Sequence, residues 1–272
     1  MILFNDQPIK FKKFPNGETN FEKSEISSKI NTQKTKITLK YESDANLFQL
    51  FLLKKALWFG ADLHIPFFPY SRMDRKSDSH VFTLKSVCKF INWLEFDNVH
   101  IYEPHSDVTP ALLNHCKIHS VTPELLLKTD FDKENDFVYY PDAGAQKKYA
   151  DLIKAKNEIF GIKKRDFTTG KLSNPIITSM DEPTGRIFIV DDLCSKGGTF
   201  IMAAEDLRLG NPKITEINLV VAHSEESIFD GDIFKTDLID HIYTTDSIIK
   251  DFPSEWAKNR LRIFPLLLTD VV

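Results

Sequence analysis

Apolar positions along the chain switch repeatedly between short extended runs and helical spacing. Ile37 to Tyr41 is a β-like run, and Ser43 or Asp44 stands where a cap starts the helix that follows. In that helix Leu47, Leu50, Phe51, Leu57 and Trp58 keep helical spacing, Lys54 is an exposed break, and Gly60 is the stop. Asp62 to Phe68 returns as a strand. Phe82 to Leu94 predicts a second helix with Leu84, Val87, Cys88, Ile91 and Leu94 on one face, and Asn98 to Tyr102 predicts another strand. This β-α-β-α-β order predicts a parallel sheet covered by helices.

The charged stretch Asp130-Phe-Asp-Lys-Glu-Asn-Asp136 interrupts the pattern and is read as a junction between domains 1–129 and 130–272. The pattern then repeats. Phe137 to Tyr140 is a strand, Ala145 to Lys156 a helix, and Glu158 to Ile162 a strand. Later strands are expected at 187–190, 217–221 and 241–244, with a helix from Thr199 to Leu209, closed by Gly210, between the first two. Lys164 to Asp181 is polar and irregular and is expected to be a mobile loop. The fold class is α/β, with two domains of similar size, each a mainly parallel sheet flanked by helices.

Composition narrows the function. The 272 residues are 42% hydrophobic and 27% charged, as in a soluble globular protein. A net charge of −4 gives no overall pull toward nucleic acid or membrane. No apolar run reaches the length of a membrane span, and Met1-Ile-Leu-Phe-Asn-Asp6 lacks the basic start and apolar core of a signal peptide. Cys88, Cys116 and Cys194 form neither a zinc pattern nor a disulfide framework, so a cytoplasmic location is expected.

In open parallel sheets ligands bind beyond the carboxyl ends of the strands. The unusual residues fall there: Tyr70 to Arg75, Glu103-Pro-His105, Pro141-Asp-Ala-Gly144, and Asp191-Asp192 after Ile187-Phe-Ile-Val190. Two adjacent acids at the end of a buried strand repel one another and need a ligand hydroxyl, a cation or donor groups. They suit ribose hydroxyls or Mg²⁺; a pair of loop and helix-capping acids is the alternative. Gly197 and Gly198 let backbone N–H groups approach an anion, and Thr199 adds a hydroxyl. Together they suggest a ribose-phosphate site. No Walker P-loop occurs.

Val190-Asp-Asp-Leu-Cys-Ser-Lys-Gly-Gly-Thr199 resembles the phosphoribosyl-pyrophosphate signature shared by type I phosphoribosyltransferases and ribose-phosphate pyrophosphokinases. Phe14-Pro-Asn-Gly-Glu18, Pro69 to Lys76, Glu103-Pro-His105 and Pro141 to Gly144 resemble further segments of the pyrophosphokinases alone, in family order across nearly the whole chain. The resemblance implies two phosphoribosyltransferase-like domains and transfer of the pyrophosphoryl group of Mg-ATP to the 1-hydroxyl of ribose 5-phosphate, with AMP leaving. It implies an ATP site from Phe14, Asn16, Glu18, Arg72, Met73, Arg75 and His105, and a ribose-phosphate site from Asp142, Asp191, Asp192, Ser195, Lys196, Gly197, Gly198 and Thr199. Lys163, Arg165 and His105 take the catalytic roles by the same resemblance, and His105, Glu103 and Asp142 are the residues expected at Mg²⁺. The Phe14–Glu18 loop of the family reaches the adenine of a neighbouring subunit's ATP, which implies a homo-oligomer, at least a dimer. Arg72 and Arg75 are otherwise free to pair with Asp74 and Asp78. His64, His100, His115 and His119 lack a motif and are read as structural.

The chain departs from the family pattern at several points. Met73 replaces a glutamine, Glu103 an aspartate, Val108 a glutamine and Ala145 a glycine. Ser195 stands where the family has an aspartate at the ribose hydroxyls, and Lys196 where a small or hydroxyl residue is common. Three alternatives follow. The acceptor is a capped ribose 5-phosphate such as ADP-ribose; the chain is a non-catalytic regulatory homologue; or it is a phosphoribosyltransferase, which leaves the Arg72 and N-terminal loops unexplained.

Overall fold

The computed structural model describes residues 1–29, 35–76, 78–162, 176–179, 182–209, 211–252, 257 and 259–268. They form two compact units, Met1–His119 together with Leu267 and Leu268, and Ser120–Leu266. The division falls before the Asp130–Asp136 stretch rather than within it. That stretch is pinned to the second unit, because the Arg186 guanidinium bonds the Asp136 carboxylate at 2.7 and 3.1 Å and also holds Asp130.

The first unit runs β1 (Ile2–Phe4), β2 (Gln7–Pro8), β3 (Lys12–Lys13), β4 (Thr19–Asn20), α1 (Ser24–Ser27), β5 (Lys36–Leu39), α2 (Ala45–Ala56), β6 (Asp62–Ile65), α3 (Thr83–Trp93), β7 (Val99–Tyr102), α4 (Val108–Leu112) and β8 (Cys116–His119). The sheet order is β2-β1-β5-β6-β7-β8, parallel from β5 to β8 and antiparallel at β1 and β2. Ile37, Leu63, Ile65, Val99 and Ile101 meet Leu50 and Leu53 of α2 and Leu84, Val87 and Ile91 of α3 in one core. Because strand side chains alternate, the other face of β6–β8 carries buried Asp62, His64, His100, Tyr102 and His119. His64 stacks on His100 at 4.2 Å, and the facing nitrogens of His100 and His119 are 2.9 Å apart.

Local differences from the sequence expectation have plain causes. Helix α2 ends at Ala56, before Gly60, so Trp58 is 88% exposed rather than part of a helical face. Lys54 is half-buried, its amine 5.4 Å from the centre of the Phe96 ring. Gly60 instead lies against Asp97, whose carboxylate a Cβ there would displace. The Asp44 side chain does not cap α2; it accepts the hydroxyls of Tyr41 and Tyr70, which hold its carboxyl below the usual range.

The second unit runs α5 (Thr122–Leu126), β9 (Phe137–Tyr140), α6 (Ala143–Ile153), β10 (Asn157–Ile162), β11 (Ile176–Ser179), β12 (Gly185–Cys194), α7 (Gly198–Arg208), β13 (Ile214–Ser224), two 3₁₀ turns at Glu226–Asp230 and Asp232–Phe234, β14 (His241–Thr245) and β15 (Leu261–Phe264). The sheet order is β11-β10-β9-β12-β13-β14-β15, parallel except at β11. Strand β11 corrects the expectation of one irregular loop over 164–181; residues 163–175 and Gly210 lie outside the described residues. Strand β12 also continues past Val190 through both acids, pairing Asp191 with Val221 and Cys194 with Ser224.

Two cores flank this sheet. Tyr139, Ile187, Ile189 and Leu219 pack with Phe200, Ala203 and Leu207 of α7, whereas Val138, Tyr140, Phe188 and Val190 pack with Ala145, Tyr149 and Ile153 of α6. Helices α6 and α7 therefore cover opposite faces. The chain turns one way from β9 to β10 and the other way from β12 to β13, so strand order reverses between β9 and β12.

Candidate functional site

A reversal of strand order opens a crevice at the carboxyl ends of the two strands, since the connections leave in opposite directions. Here those ends carry Asp142 and the Asp191-Asp192 pair. Asp142 is extended and caps α6, its carboxylate accepting the Ala145 amide at 3.0 Å. The Asp191 carboxylate takes the Asp192 amide at 2.8 Å, and the Thr122 hydroxyl donates to the Asp191 carbonyl at 3.3 Å. Asp192 is buried, with Lys148 Nζ of α6 at 3.8 Å from its Oδ2. That ammonium offsets part of the repulsion between adjacent acids.

Across from α6, helix α7 starts at Gly198. The first amides of an α-helix have no intrahelical acceptor and carry the positive end of its dipole, so they suit an anion. Gly197 is left-handed, φ +83°, and a Cβ there would lie 2.7 Å from Ile233 Cδ1. Gly198 faces open space: a Cβ there would meet nothing within 4 Å. One glycine shapes the turn, and the next leaves room for a ligand.

Ser195 sits beside this loop. Its Oγ is 2.9 Å from Ser227 Oγ, and Ser227 donates to Glu225 Oε2 at 3.2 Å. Glu225 follows β13, and its amide donates to the Cys194 carbonyl at 2.9 Å. Lys196 is exposed, and its charge adds to that of Lys235 in holding the Asp232 carboxyl below its usual range.

On the other side of β9, Gly161 lies over the buried Tyr139 ring. A Cβ at Gly161 would crowd the Tyr139 hydroxyl and stand 2.8 Å from the Pro141 carbonyl, so the residue governs the path into Asp142. Burial, with the charges of Asp206 and Asp142, raises the Tyr139 hydroxyl pKa and keeps it protonated.

In the first unit, neighbouring parallel strands β6 and β7 bring the Tyr70–Arg75 and Glu103–His105 loops to one sheet edge. Each turns through a left-handed non-glycine residue, Tyr70 at φ +61° and Glu103 at φ +45°, a conformation that is held only by its surroundings. Burial raises the Asp74 carboxyl, but hydrogen bonds from Ser106 and Arg75 outweigh it and hold it below the usual range. The Ser106 bond ties the two loops together. Arg75 pairs with Asp74 at 3.2 Å, as its sequence neighbours allow. Arg72, Met73 and His105 are exposed, and Glu103 is buried.

Phe14, Asn16 and Glu18 form the exposed tip of the β3–β4 hairpin. The tip is closed by Phe14 N to the Glu18 carbonyl at 2.8 Å, with Gly17 at φ +93°. Asn16 Oδ1 accepts the Glu18 amide at 3.2 Å.

No family model matches the chain. Individual proteins do. It is 27% identical over 209 residues to the ribose-phosphate pyrophosphokinase of Saccharolobus solfataricus, covering 72% of this chain and 69% of that protein. The Pyrococcus furiosus protein of the same name is 29% identical over 220 residues, covering 76% and 75%. The phosphoribosylpyrophosphate synthetase structure from Mycobacterium smegmatis superposes with a TM-score of 0.70 at 17% identity, over 95% of this chain and 86% of that one. Over most of its length the chain is thus similar to ribose-phosphate pyrophosphokinases, and it shares the fold of a phosphoribosylpyrophosphate synthetase.

The pyrophosphokinase residues expected from sequence fall into two groups. Asp142, Asp191, Asp192, Ser195, Gly197, Gly198 and Thr199 gather at the switch point of the second unit, with Lys196 at its rim. Arg72, Met73, Arg75, Glu103 and His105 gather on two adjacent loops of the first. Lys163 and Arg165 lie outside the described residues. Among the described residues, no group of three or more His, Cys, Asp or Glu is placed to hold a metal ion, and no helix is long and apolar enough to cross a membrane. Sequence reasoning missed Lys148, Gly161, Glu225 and Ser227. Lys148 follows Asp142 by six residues, a spacing that puts the two on different faces of α6, and like the others it meets the site only once the strands are paired.

Proposed function

We propose that the chain transfers the pyrophosphoryl group of Mg-ATP to the 1-hydroxyl of ribose 5-phosphate, giving phosphoribosyl pyrophosphate and AMP. The observation that carries this reading is the switch point, where the paired acids near the end of β12 lead into the glycine turn that opens α7. The 5-phosphate binds the Gly197-Gly198-Thr199 amides, and the sugar hydroxyls donate to Asp191 and Asp192. ATP binds the loops of the first unit, with Arg72 and Arg75 on phosphate oxygens, Met73 packed on adenine, and Phe14, Asn16 and Glu18 serving a neighbouring subunit of a homo-oligomer.

The sugar oxygen forms a bond to the β-phosphorus of ATP as the bond from that phosphorus to the α-bridging oxygen breaks. AMP leaves with the bridging oxygen, and the hydroxyl proton is released. Positioning and charge neutralisation supply most of the acceleration in such transfers. Lys163 and Arg165 stabilise the charge that develops on the transferred group. Mg²⁺, when bound, neutralises phosphate oxygens. It takes oxygen ligands and keeps several waters, so a single carboxylate, Glu103 in the first unit or Asp142 in the second, would serve to hold it without a three-residue cluster. His105, a nitrogen donor, suits the phosphates better than the ion.

The test is mass spectrometry of products from Mg-ATP with ribose 5-phosphate and ADP-ribose. AMP release with ribose 5-phosphate supports the reading. Faster turnover of ADP-ribose moves the acceptor to the capped sugar, and no AMP from any ribose phosphate makes the chain a non-catalytic homologue.

A further inference from the structure

We infer that Glu225 and Ser227 are positioning residues that turn Ser195 into an obligate hydrogen-bond acceptor for a sugar hydroxyl. The inference rests on the ribose-phosphate reading above and adds the group that selects the sugar.

The carboxylate, the stronger acceptor, sets the direction of the relay by drawing the Ser227 proton toward itself. A serine hydroxyl has one proton and two lone pairs. Ser227 gives its proton to Glu225 Oε2 at 3.2 Å. Ser195, 2.9 Å away, must then donate to Ser227. With its proton committed inward, Ser195 Oγ offers only lone pairs to a ligand. The carboxylate at the far end polarises the chain and strengthens that acceptor. A phosphate or carboxylate oxygen cannot use it at neutral pH; a hydroxyl can. Beside the α7 amides, which suit an anion, such an acceptor describes a ligand with a hydroxyl close to a phosphate ester.

The relay is built into the backbone. Strands β12 and β13 pair at Cys194 and Ser224, and the Glu225 amide closes on the Cys194 carbonyl at 2.9 Å. A Cβ at Gly231 would strike the Lys196 carbonyl, and one at Gly197 would strike Ile233. Two close approaches therefore press the Ser195 loop onto the Glu225–Ile233 segment.

The experiment measures equilibrium binding of ribose 5-phosphate, its 2-deoxy and 3-deoxy analogues, and inorganic phosphate. The parent should prefer ribose 5-phosphate to at least one deoxy analogue by about tenfold, the size of one hydrogen bond backed by a charge. Glu225→Ala and Ser227→Ala should each bring that ratio close to one while phosphate affinity stays within about twofold, because the amides that hold phosphate are untouched. Ser195→Asp placed on Glu225→Ala should restore the ratio by setting a carboxylate directly at the rim. A ratio retained in both single variants, an equal fall in phosphate affinity, or no preference in the parent overturns the relay alone. A parent that binds none of the sugar phosphates overturns the ribose-phosphate reading, and the relay falls with it.

Discussion

In Met1–His119 each new parallel strand from β5 to β8 is laid beside the last, and one apolar core fills one face of the sheet. In Ser120–Leu266 the chain lays β10 on one side of β9 and β12 on the other, and a core fills each face. The same alternation of strand and helix thus yields different sites. Where order reverses, the crevice comes from topology, and residues from β9, α6, β12 and α7 converge on it. Where order runs on, the strand-end loops need bracing of their own: left-handed Tyr70 and Glu103, and the Asp74–Ser106 bond. Binding in the second unit should therefore be sensitive to backbone shape, and binding in the first to side-chain ties.

The largest expected effect belongs to neither framework. Lys163→Ala should lower turnover by about 100-fold, the scale for losing one preorganised transition-state contact, with ATP affinity changed only a few-fold. Steady-state kinetics beside direct ATP binding decides it; equal losses would assign Lys163 to ground-state binding.

Gly197→Ala tests the backbone half of the comparison. It forces a side chain into a left-handed position and against Ile233. The strain and overpacking should cost about 2–4 kcal/mol in unfolding of the second unit. Denaturant titration should show this together with weaker phosphate binding. An unchanged unfolding midpoint would mean the turn is not held by that contact.

Asp74→Ala tests the other half. Removing the tie to Ser106 should raise the KM for ATP about three- to tenfold, the size of one hydrogen bond, and leave the KM for the sugar phosphate unchanged. Asp191→Ala should do the reverse. If both variants raise both constants alike, the assignment of one substrate to each unit fails.

The smallest effect is in pH. The Asp44 and Asp74 carboxyls lie below their ordinary value of 3.8 in the folded chain. A depressed carboxyl contributes stability that is fully present above its unfolded value and lost as pH falls through the folded one. The Asp74 contribution should be constant between about pH 5 and 8, begin to fall near about pH 4 and be lost as pH drops through the folded value. Unfolding of Asp74→Asn and the parent should accordingly converge in acid; a difference that stays constant as the pH is lowered contradicts the tie.

Much of this was legible in the chain. The β9 strand, the α3 helix and the Gly-Gly-Thr start of α7 follow from hydrophobic period and turn chemistry, which are local. The acids at 191 and 192 were legible as paired carboxylates after a hydrophobic strand, but not as members of that strand. Their strand pairing depends on β13, some 30 residues away in sequence by the Asp191–Val221 pair. β11 was missed because its neighbours are polar and its partner β10 supplies the pairing. The reversal at β9 and β12 was hidden for the same reason, since period states what an element is and not beside which strand it lies. Glu225 and Ser227 reach Ser195 only after β12 and β13 are in register.

Transfer of an intact pyrophosphoryl group is followed with ATP labelled at its β-phosphorus. With Mg²⁺ and ribose 5-phosphate, the label should move to the sugar phosphate while unlabelled AMP appears in equal amount. Label retained in ADP, or hydrolysed without entering the sugar, contradicts it.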